Sequence, residues 1–230
     1  YDQILHDVCL QNLPVIFAID RAGIVGEDGA THQGLFDLSY LRNLPRLIMM
    51  APKDENELRH MLKTALGLNA PVAIRYPRGK SPGVPLDAEL AVLPVGRAEV
   101  LQEGADLALI AIGATVYPAL AAARRLAKEG VFVRVINARF AKPLDEPLII
   151  ETAQSIARIL TIEENVLHGG FGSAVLELLA EKGVTGVRVS RLGIRDQFVE
   201  HAQQAELRSL YGLDEEGIFR AAREMLSDRF

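Results

Sequence analysis

Apolar and polar positions alternate along the chain in two patterns that predict strands and helices in turn. Met61, Leu62 and Ala65 fall on one face of a predicted helix, and Asp54 stands where it can cap that helix. Short apolar runs bounded by turn residues predict buried strands. The predicted strands cover residues 15–19, 47–50, 72–75, 107–112, 131–136, 159–162 and 187–190, and further helices cover residues 115–128, 145–155, 173–182 and 214–227.

This order of elements predicts an α/β fold with two domains. Strands that alternate with helices build a mostly parallel sheet flanked by helices. Residues 80–95 are rich in proline and glycine and show no period, which indicates a linker. We therefore expect a first domain over residues 1–79, a linker over residues 80–95 and a second domain over residues 96–230.

The composition narrows the classes of partner. The 230 residues carry a net charge of −5, which argues against the basic surface of a nucleic-acid-binding protein. No apolar run approaches the ~18 residues of a membrane-spanning helix. We therefore expect neither nucleic acid nor membrane as a partner. The one cysteine, Cys9, allows no internal disulfide and no cysteine-based metal site, and it fits a reducing compartment.

The first residues indicate a chain that starts within a domain. Tyr1 is not methionine, and nothing before Gln11 resembles a signal or transit peptide. We therefore expect these residues to belong to a longer polypeptide.

Two loops at predicted strand ends carry the most chemically versatile residues. In open α/β sheets, ligands bind beyond the carboxyl ends of the strands, and the loops over residues 20–34 and 76–79 stand at such ends. Guanidinium groups bind phosphate through a planar fork of donors, an imidazole moves protons near neutral pH, and a carboxylate accepts hydrogen bonds from hydroxyl groups. The residues concerned are Arg21, Asp28, His32 and Arg78.

Each of these residues also has a purely structural interpretation. Arg21 could form a surface ion pair with Asp20 or Glu27. His32 could be a structural histidine, and Asp28 could mark an ordinary turn. The residues alone leave both interpretations open.

Four stretches of the sequence resemble the 1-deoxy-D-xylulose-5-phosphate synthase family. The longest is DRAGIVGEDGATHQG over residues 20–34, followed by FDLSYLR over residues 36–42. The others are YDQILHDV over residues 1–8 and RYPRG over residues 75–79. The resemblance runs the length of the chain. It implies part of a transketolase pyrimidine-binding domain, followed by a transketolase C-terminal domain.

The resemblance implies a reaction and roles for the loop residues. The family condenses pyruvate with D-glyceraldehyde 3-phosphate, releases carbon dioxide and forms 1-deoxy-D-xylulose 5-phosphate, a precursor of isoprenoids, thiamine and pyridoxal. Its cofactors are thiamine diphosphate and Mg²⁺. Arg21 and Arg78 would bind the phosphate of the triose, and Asp28 would contact the hydroxyl of this acceptor substrate. His32 would be the catalytic residue, orienting substrate and exchanging a proton.

The resemblance also implies that part of the active site lies outside residues 1–230. The family's diphosphate-magnesium motif belongs to an N-terminal domain, and the residues that contact the aminopyrimidine ring precede Tyr1. We therefore name no metal ligand and no cofactor-binding residue here, and we expect the chain to be inactive alone. The implied partners are the missing N-terminal part and a second copy in a homodimer. The implied compartment is the bacterial cytoplasm, in preference to a plastid.

Two other interpretations stay open. Transketolase itself and the β subunit of a 2-oxo acid dehydrogenase share the two-domain layout. The chain could also be a non-catalytic interaction module of the same fold. The glycine-rich stretch over residues 168–173 lacks the lysine of a P-loop, so we expect no nucleotide site there. The retained pair of Arg21 and Arg78 favours the synthase.

Overall fold

The computed structural model of the protein describes residues 1–227. The strands are β1 (Ile16–Ile19), β2 (Ile48–Met50), β3 (Val72–Arg75), β4 (Glu99–Gln102), β5 (Leu107–Ala111), β6 (Val133–Asn137), β7 (Phe140–Lys142), β8 (Arg158–Val166) and β9 (Arg188–Ile194). The α-helices are α1 (Asp37–Leu41), α2 (Glu55–Leu66), α3 (Val116–Ala127), α4 (Glu146–Ser155), α5 (Phe171–Glu181), α6 (Gln204–Leu210) and α7 (Glu215–Ser227). A π-helical segment spans Ile4–Cys9, and a 3₁₀ turn spans Gly113–Thr115.

The first sheet contains strands from both halves of the chain. Its strand order is β1-β3-β2-β7. The first three strands run parallel, and β7 pairs antiparallel with β2, placing Phe140 opposite Met50. Phe140 is completely buried, so the pairing is held by packing as well as by backbone hydrogen bonds. The two halves of the chain therefore share one sheet.

The second sheet is formed by the second half alone. Its order is β4-β6-β5-β8-β9, with β4 antiparallel to β6 and the other neighbours parallel. The apolar run Leu107–Ala111 forms the central strand and is buried along its whole length. Burial on both faces is what a parallel sheet covered by helices requires.

The hydrophobic core continues from one half into the other. Successive side chains of a strand point to opposite faces of its sheet. On one face Leu109 packs in a cluster that includes Ala122 of α3. On the other face Ile110 packs in a cluster that includes Met49 of β2 and Phe171 of α5. Because β2 belongs to the first half and α5 to the second, this cluster stabilises the contact between them.

Residues 80–95 form no helix or strand but are tied to α2. Polar side chains on one face of that helix accept hydrogen bonds from backbone N–H groups of this segment. Asn56 accepts from Asp87 at 2.9 Å, His60 accepts from Ala91 at 3.0 Å, and Thr64 accepts from Leu93 at 2.8 Å. The segment is thus fixed in place. Its role as a boundary between domains stays a prediction.

The predicted α/β class with two mostly parallel sheets is confirmed. The predicted strands and helices are all present, most of them with shifted ends, and β8 runs four residues beyond its predicted end at residue 162 to Val166. Leu62, predicted on the buried face of α2, is instead 47% exposed. The structure adds β4, β7, α1 and α6, which the sequence did not predict. Residues 228–230 of the predicted second domain lie outside the described residues.

Within residues 1–227, no helix combines the length and apolar character that crossing a membrane demands.

Candidate active site

The two loops with the predicted site residues leave one edge of the first sheet side by side. Strands β1 and β3 are parallel neighbours, and Ile19 lies opposite Arg75. The loops over residues 20–34 and 76–79 therefore start at the same level. The backbone N–H of Ala22 donates to the carbonyl oxygen of Tyr76 at 3.0 Å. The structure thus brings together the segments that the sequence placed at separate strand ends.

The first loop closes on itself through backbone contacts. Gly23 and Gly34 exchange two hydrogen bonds, of 2.7 and 2.8 Å. A Cβ atom on Gly34 would lie 2.0 Å from the carbonyl oxygen of Arg21, so only glycine fits that approach. Residues 22–26 are buried, and the residues between 27 and 32 form the exposed rim. The exposed rim is therefore attached to a buried and closely packed base, residues 22–26.

Arg21 lies at the start of this loop and faces solvent. Its backbone φ is 57°, in the left-handed region, which turns the chain sharply after Asp20. Its guanidinium donates to the Asp20 carboxylate at 2.9 Å, and 48% of its side chain is exposed. The structural interpretation, an ion pair with Asp20, is therefore present. The exposed guanidinium is also accessible to an anion.

Arg78 and Asp28 form an ion pair that joins the two loops at their tips. The Arg78 side chain is 48% exposed and that of Asp28 is 31% exposed. The sequence assigned these residues separate contacts with a ligand and did not predict that they contact each other. A ligand that binds the Arg78 guanidinium would either displace the Asp28 carboxylate or bind beside it.

His32 lies on the exposed rim of the first loop. Its backbone N–H donates to the carbonyl oxygen of Gly29 at 3.0 Å, and its ring atom Nδ1 lies 3.0 Å from the Thr31 hydroxyl. The imidazole Nε2 can therefore face a ligand while Nδ1 is held by a neighbour. A histidine with one ring nitrogen engaged in this way has a fixed orientation.

A cavity of about 470 Å³ lies beside the second loop, between the halves of the chain. Its walls include Lys53, Tyr76, Arg78, Tyr117 and Gln204. Among the four predicted site residues, all of which the structure describes, only Arg78 lines it. The Tyr117 hydroxyl donates to Asp54 at 2.7 Å. Burial and the Asp54 carboxylate raise the pKa of Tyr117, so its hydroxyl stays protonated.

Comparison with protein families explains this arrangement of two sheets. Residues 1–83 match the family model of the transketolase pyrimidine binding domain, and residues 96–218 match that of the transketolase C-terminal domain. The chain belongs to the transketolase family.

Curated relatives of this transketolase-family chain include two bacterial proteins. It is 61% identical over 227 residues to 1-deoxy-D-xylulose-5-phosphate synthase 1 of Geobacter sulfurreducens, an alignment that covers 99% of this chain and 36% of that protein. It is 60% identical over 227 residues to 1-deoxy-D-xylulose-5-phosphate synthase of Syntrophus aciditrophicus, covering 99% of this chain and 35% of that protein. The chain thus spans about a third of the length of these relatives.

A solved structure also matches almost the whole chain. It is titled "Split gene transketolase, inactive beta4 tetramer" and is 32% identical in sequence, with a TM-score of 0.84. The match covers 98% of this chain and 71% of that chain. Both halves of this transketolase-family chain are therefore present in the matched structure.

Strand β8 of this transketolase-family chain carries two buried acids that sequence reasoning missed. Glu163 accepts backbone hydrogen bonds from Phe171 at 2.7 Å and Gly172 at 2.8 Å. Burial raises the pKa of Glu163 to about 7, although these N–H groups lower it. Glu164 accepts from the Arg208 guanidinium at 2.5 Å. The sequence did offer a signal for these residues, because two adjacent acids directly follow the strand predicted over residues 159–162.

Arg75, at the end of β3, is a third residue to which the sequence assigned no role. Its side chain is 4% exposed and donates to the Asp37 carboxylate at 2.7 Å. It also donates to the carbonyl oxygens of Gly34 at 2.9 Å and Glu164 at 2.8 Å. Arg75 thus joins the base of the first loop to β8. Because its side chain is buried, Arg75 stabilises the loop from within the fold and is not accessible to a ligand.

The transketolase fold implies thiamine diphosphate and a magnesium ion, and the described residues do not supply a site for the ion. Among residues 1–227, no group of three or more His, Cys, Asp or Glu side chains is arranged to hold a metal. The buried acids Glu163 and Glu164 are already bound by backbone N–H groups and by Arg208. We therefore assign no metal ligand among residues 1–227.

Proposed function

We propose that this chain forms the acceptor-phosphate side of an active site that makes 1-deoxy-D-xylulose 5-phosphate from pyruvate and D-glyceraldehyde 3-phosphate. The observation that carries the proposal is the junction of the two loops. The hydrogen bond from Ala22 to Tyr76 and the ion pair between Arg78 and Asp28 hold two arginine-bearing segments at one sheet edge. The names of the two bacterial relatives supply the reaction.

In this proposal Arg21 and Arg78 bind the phosphate of the triose. Each guanidinium is about half exposed and is balanced by one carboxylate, from Asp20 or Asp28. A phosphate dianion offers stronger charge-assisted hydrogen bonds than an exposed carboxylate, because it presents three acceptor oxygens to planar forks of donors. Binding the phosphate fixes the aldehyde carbon, and such positioning lowers the barrier to bond formation.

The rim residues act on the other end of the triose. The Asp28 carboxylate accepts a hydrogen bond from an acceptor hydroxyl group. The His32 imidazole orients the substrate. It exchanges a proton with the aldehyde oxygen as the new carbon–carbon bond forms at the aldehyde carbon. Thiamine diphosphate, bound by residues outside this chain, supplies the electron sink for loss of carbon dioxide from pyruvate.

We infer that this chain needs a longer polypeptide for activity and is inactive alone. It spans about a third of the length of its curated relatives. The matched structure at 32% identity is, by its title, an inactive tetramer of a split-gene transketolase. A homodimer and a location in the bacterial cytoplasm are parts of the same proposal.

The test uses the complete enzyme, meaning this chain together with the segment that its relatives carry in addition. We expect Arg78→Ala to raise the KM for D-glyceraldehyde 3-phosphate about tenfold or more, because a hydrogen bond to a charged group contributes about 1.5–3 kcal/mol. The KM for pyruvate should change less than about twofold. Arg220→Ala, an exposed arginine on α7, is the matched control and should change neither value.

His32→Ala is measured in the same assay. We expect it to lower kcat with a small effect on either KM, because the imidazole acts during bond formation.

Equal effects of Arg78→Ala on both substrates would contradict the phosphate role. A product analysis that finds only two-carbon ketol transfer would favour transketolase activity instead.

A further inference from the structure

A segment of the second half, residues 200–208, lies directly on the first loop of the candidate site. The Gln33 side chain donates to the carbonyl oxygen of Glu200 at 3.1 Å. A Cβ atom on Gly26 would approach the backbone nitrogen of Gln204 to 3.1 Å and the carbonyl oxygen of Ala202 to 3.2 Å. The backbone of the 200–208 segment therefore leaves little room for a side chain at position 26 and lies against the buried base of the loop.

Gln204 connects the two loops of the site through one side-chain amide. Its Nε2 donates to the carbonyl oxygen of Ile24 at 2.6 Å and to that of Arg78 at 3.2 Å. Ile24 belongs to the loop that follows β1, and Arg78 to the loop that follows β3. A primary amide has two N–H donors, and here each loop receives one.

The 200–208 segment is itself anchored to the second sheet. Arg208 donates to the Glu164 carboxylate at 2.5 and 3.3 Å, and this carboxylate is almost completely buried. A Cβ atom on Gly23 would lie 2.1 Å from Glu164 Oε2, so the same carboxylate also packs against the first loop. Gln204 thus lies on a segment anchored to the second sheet, and its two hydrogen bonds link both loops to that segment.

We propose that Gln204 is a positioning residue for binding of the acceptor phosphate. It fixes the backbone of Arg78 relative to the loop that carries Arg21, and so sets the separation of the two guanidinium groups. This inference rests on the proposed function, because it concerns the phosphate that those groups bind. Gln204 acts through the two loops and is not itself a catalytic residue.

The test compares Gln204→Met and Gln204→Glu with wild type in the complete enzyme. Methionine keeps the length of the side chain without its donors, and glutamate keeps the shape but replaces the donor nitrogen with oxygen. We expect either change to raise the KM for D-glyceraldehyde 3-phosphate about tenfold, the factor that ~1.4 kcal/mol of binding free energy represents. The kcat and the KM for pyruvate should stay within about twofold of wild type.

Unphosphorylated D-glyceraldehyde as acceptor separates positioning from general damage to the site. Because it has no phosphate, its kcat/KM should be unchanged by either substitution. Gln154→Met, at an exposed glutamine on α4, is the matched control and should leave all constants unchanged. The melting temperature of each variant shows whether it is folded, and Gln204→Glu serves if Gln204→Met does not fold.

The outcomes separate this inference from the proposed function. If Arg78→Ala raises the KM for the triose phosphate and the Gln204 variants do not, Gln204 has no positioning role. An equal loss with D-glyceraldehyde would likewise overturn the inference. If Arg78→Ala also leaves that KM unchanged, the proposed phosphate site fails, and the role of Gln204 fails with it.

Discussion

At the scale of single residues, Glu163 has an energetic effect that depends on pH. Its carboxyl group is fully buried in β8, where the N–H groups of Phe171 and Gly172 contact it. Burial raises the pKa of Glu163 from 4.5 to about 7, while these N–H groups and the charges of Arg75 and Arg191 lower it. Between these two pKa values the folded protein keeps a proton that the unfolded chain has released.

Glu163 should therefore make the protein less stable as the pH rises. The folded state binds more protons than the unfolded state in this window, so the free energy of unfolding falls with rising pH. Between pH 5 and pH 8 we expect this group to contribute a decrease of about 2–3 kcal/mol. Glu163→Gln lacks the titration, so urea denaturation at both pH values should show a smaller decrease for the variant. Equal decreases would contradict the shifted pKa.

The sequence revealed the exposed site residues better than the buried ones. Arg21, Asp28 and His32 stand in a glycine-rich loop whose composition already indicates function. The ion pair between Asp20 and Arg21 was foreseen as an alternative, because it needs only neighbouring residues. The pair of Asp28 with Arg78 was not foreseen, because it joins residues fifty positions apart in sequence. Such contacts depend on which strands become neighbours.

At the scale of elements, α2 shows how one side chain can serve two parts of the fold. Asp54 caps the helix by accepting from the Glu57 N–H at 2.7 Å, and its other oxygen accepts from the Tyr117 hydroxyl at 2.7 Å. Tyr117 lies on α3, in the second half of the chain. The cap therefore also connects the halves.

Asp54→Ala should lower the free energy of unfolding by about 1–2 kcal/mol, because the helix loses its N-cap and the Tyr117 hydroxyl loses its acceptor. Asp54→Asn keeps an acceptor for the N–H group and should lose less. Tyr117→Phe leaves the cap intact and measures the second contact alone. Chemical denaturation of the three variants tests this, and equal losses for Asn and Ala would exclude the cap as the main effect.

The elements that the sequence missed are short and depend on distant partners. Strand β7 has three residues, and its Phe140 pairs with Met50 of β2 and is buried there. Strand β4 has four partly exposed residues and lies at the edge of its sheet, beside β6. Local patterns predict longer elements well, because a long apolar period identifies a buried face. They contain no information on an edge strand whose partner lies elsewhere in the chain.

At the scale of the whole molecule, the halves are joined by polar contacts as well as by the core. Arg42, which follows α1, donates to both carboxylate oxygens of Glu177 at 2.8 and 2.5 Å and to the Gly169 carbonyl at 2.6 Å. Lys142 donates to the carbonyl oxygen of Arg42 at 2.9 Å. Burial lowers the pKa of Lys142, which indicates a partly desolvated interface.

Arg42→Ala should reduce stability more than Glu177→Gln does. The arginine loses a part-buried hydrogen bond to Gly169, and such bonds from charged groups contribute about 1.5–3 kcal/mol. The glutamine variant loses only an exposed charge interaction, which contributes about 0–1 kcal/mol. Urea denaturation of both variants compares the two losses. A larger effect of Glu177→Gln would show that the ion pair, and not the carbonyl contact, stabilises the interface.

The three residues of β7 set a condition for chimaeras built from this fold. A junction placed within residues 80–95 transplants the second half as one piece, but it also removes the outer neighbour of β2. The backbone groups of that strand would then be free to pair with another molecule. A donor half must therefore bring its own equivalent of Phe140–Lys142, matched in register to Met49 and Met50, if the hybrid is to stay monodisperse.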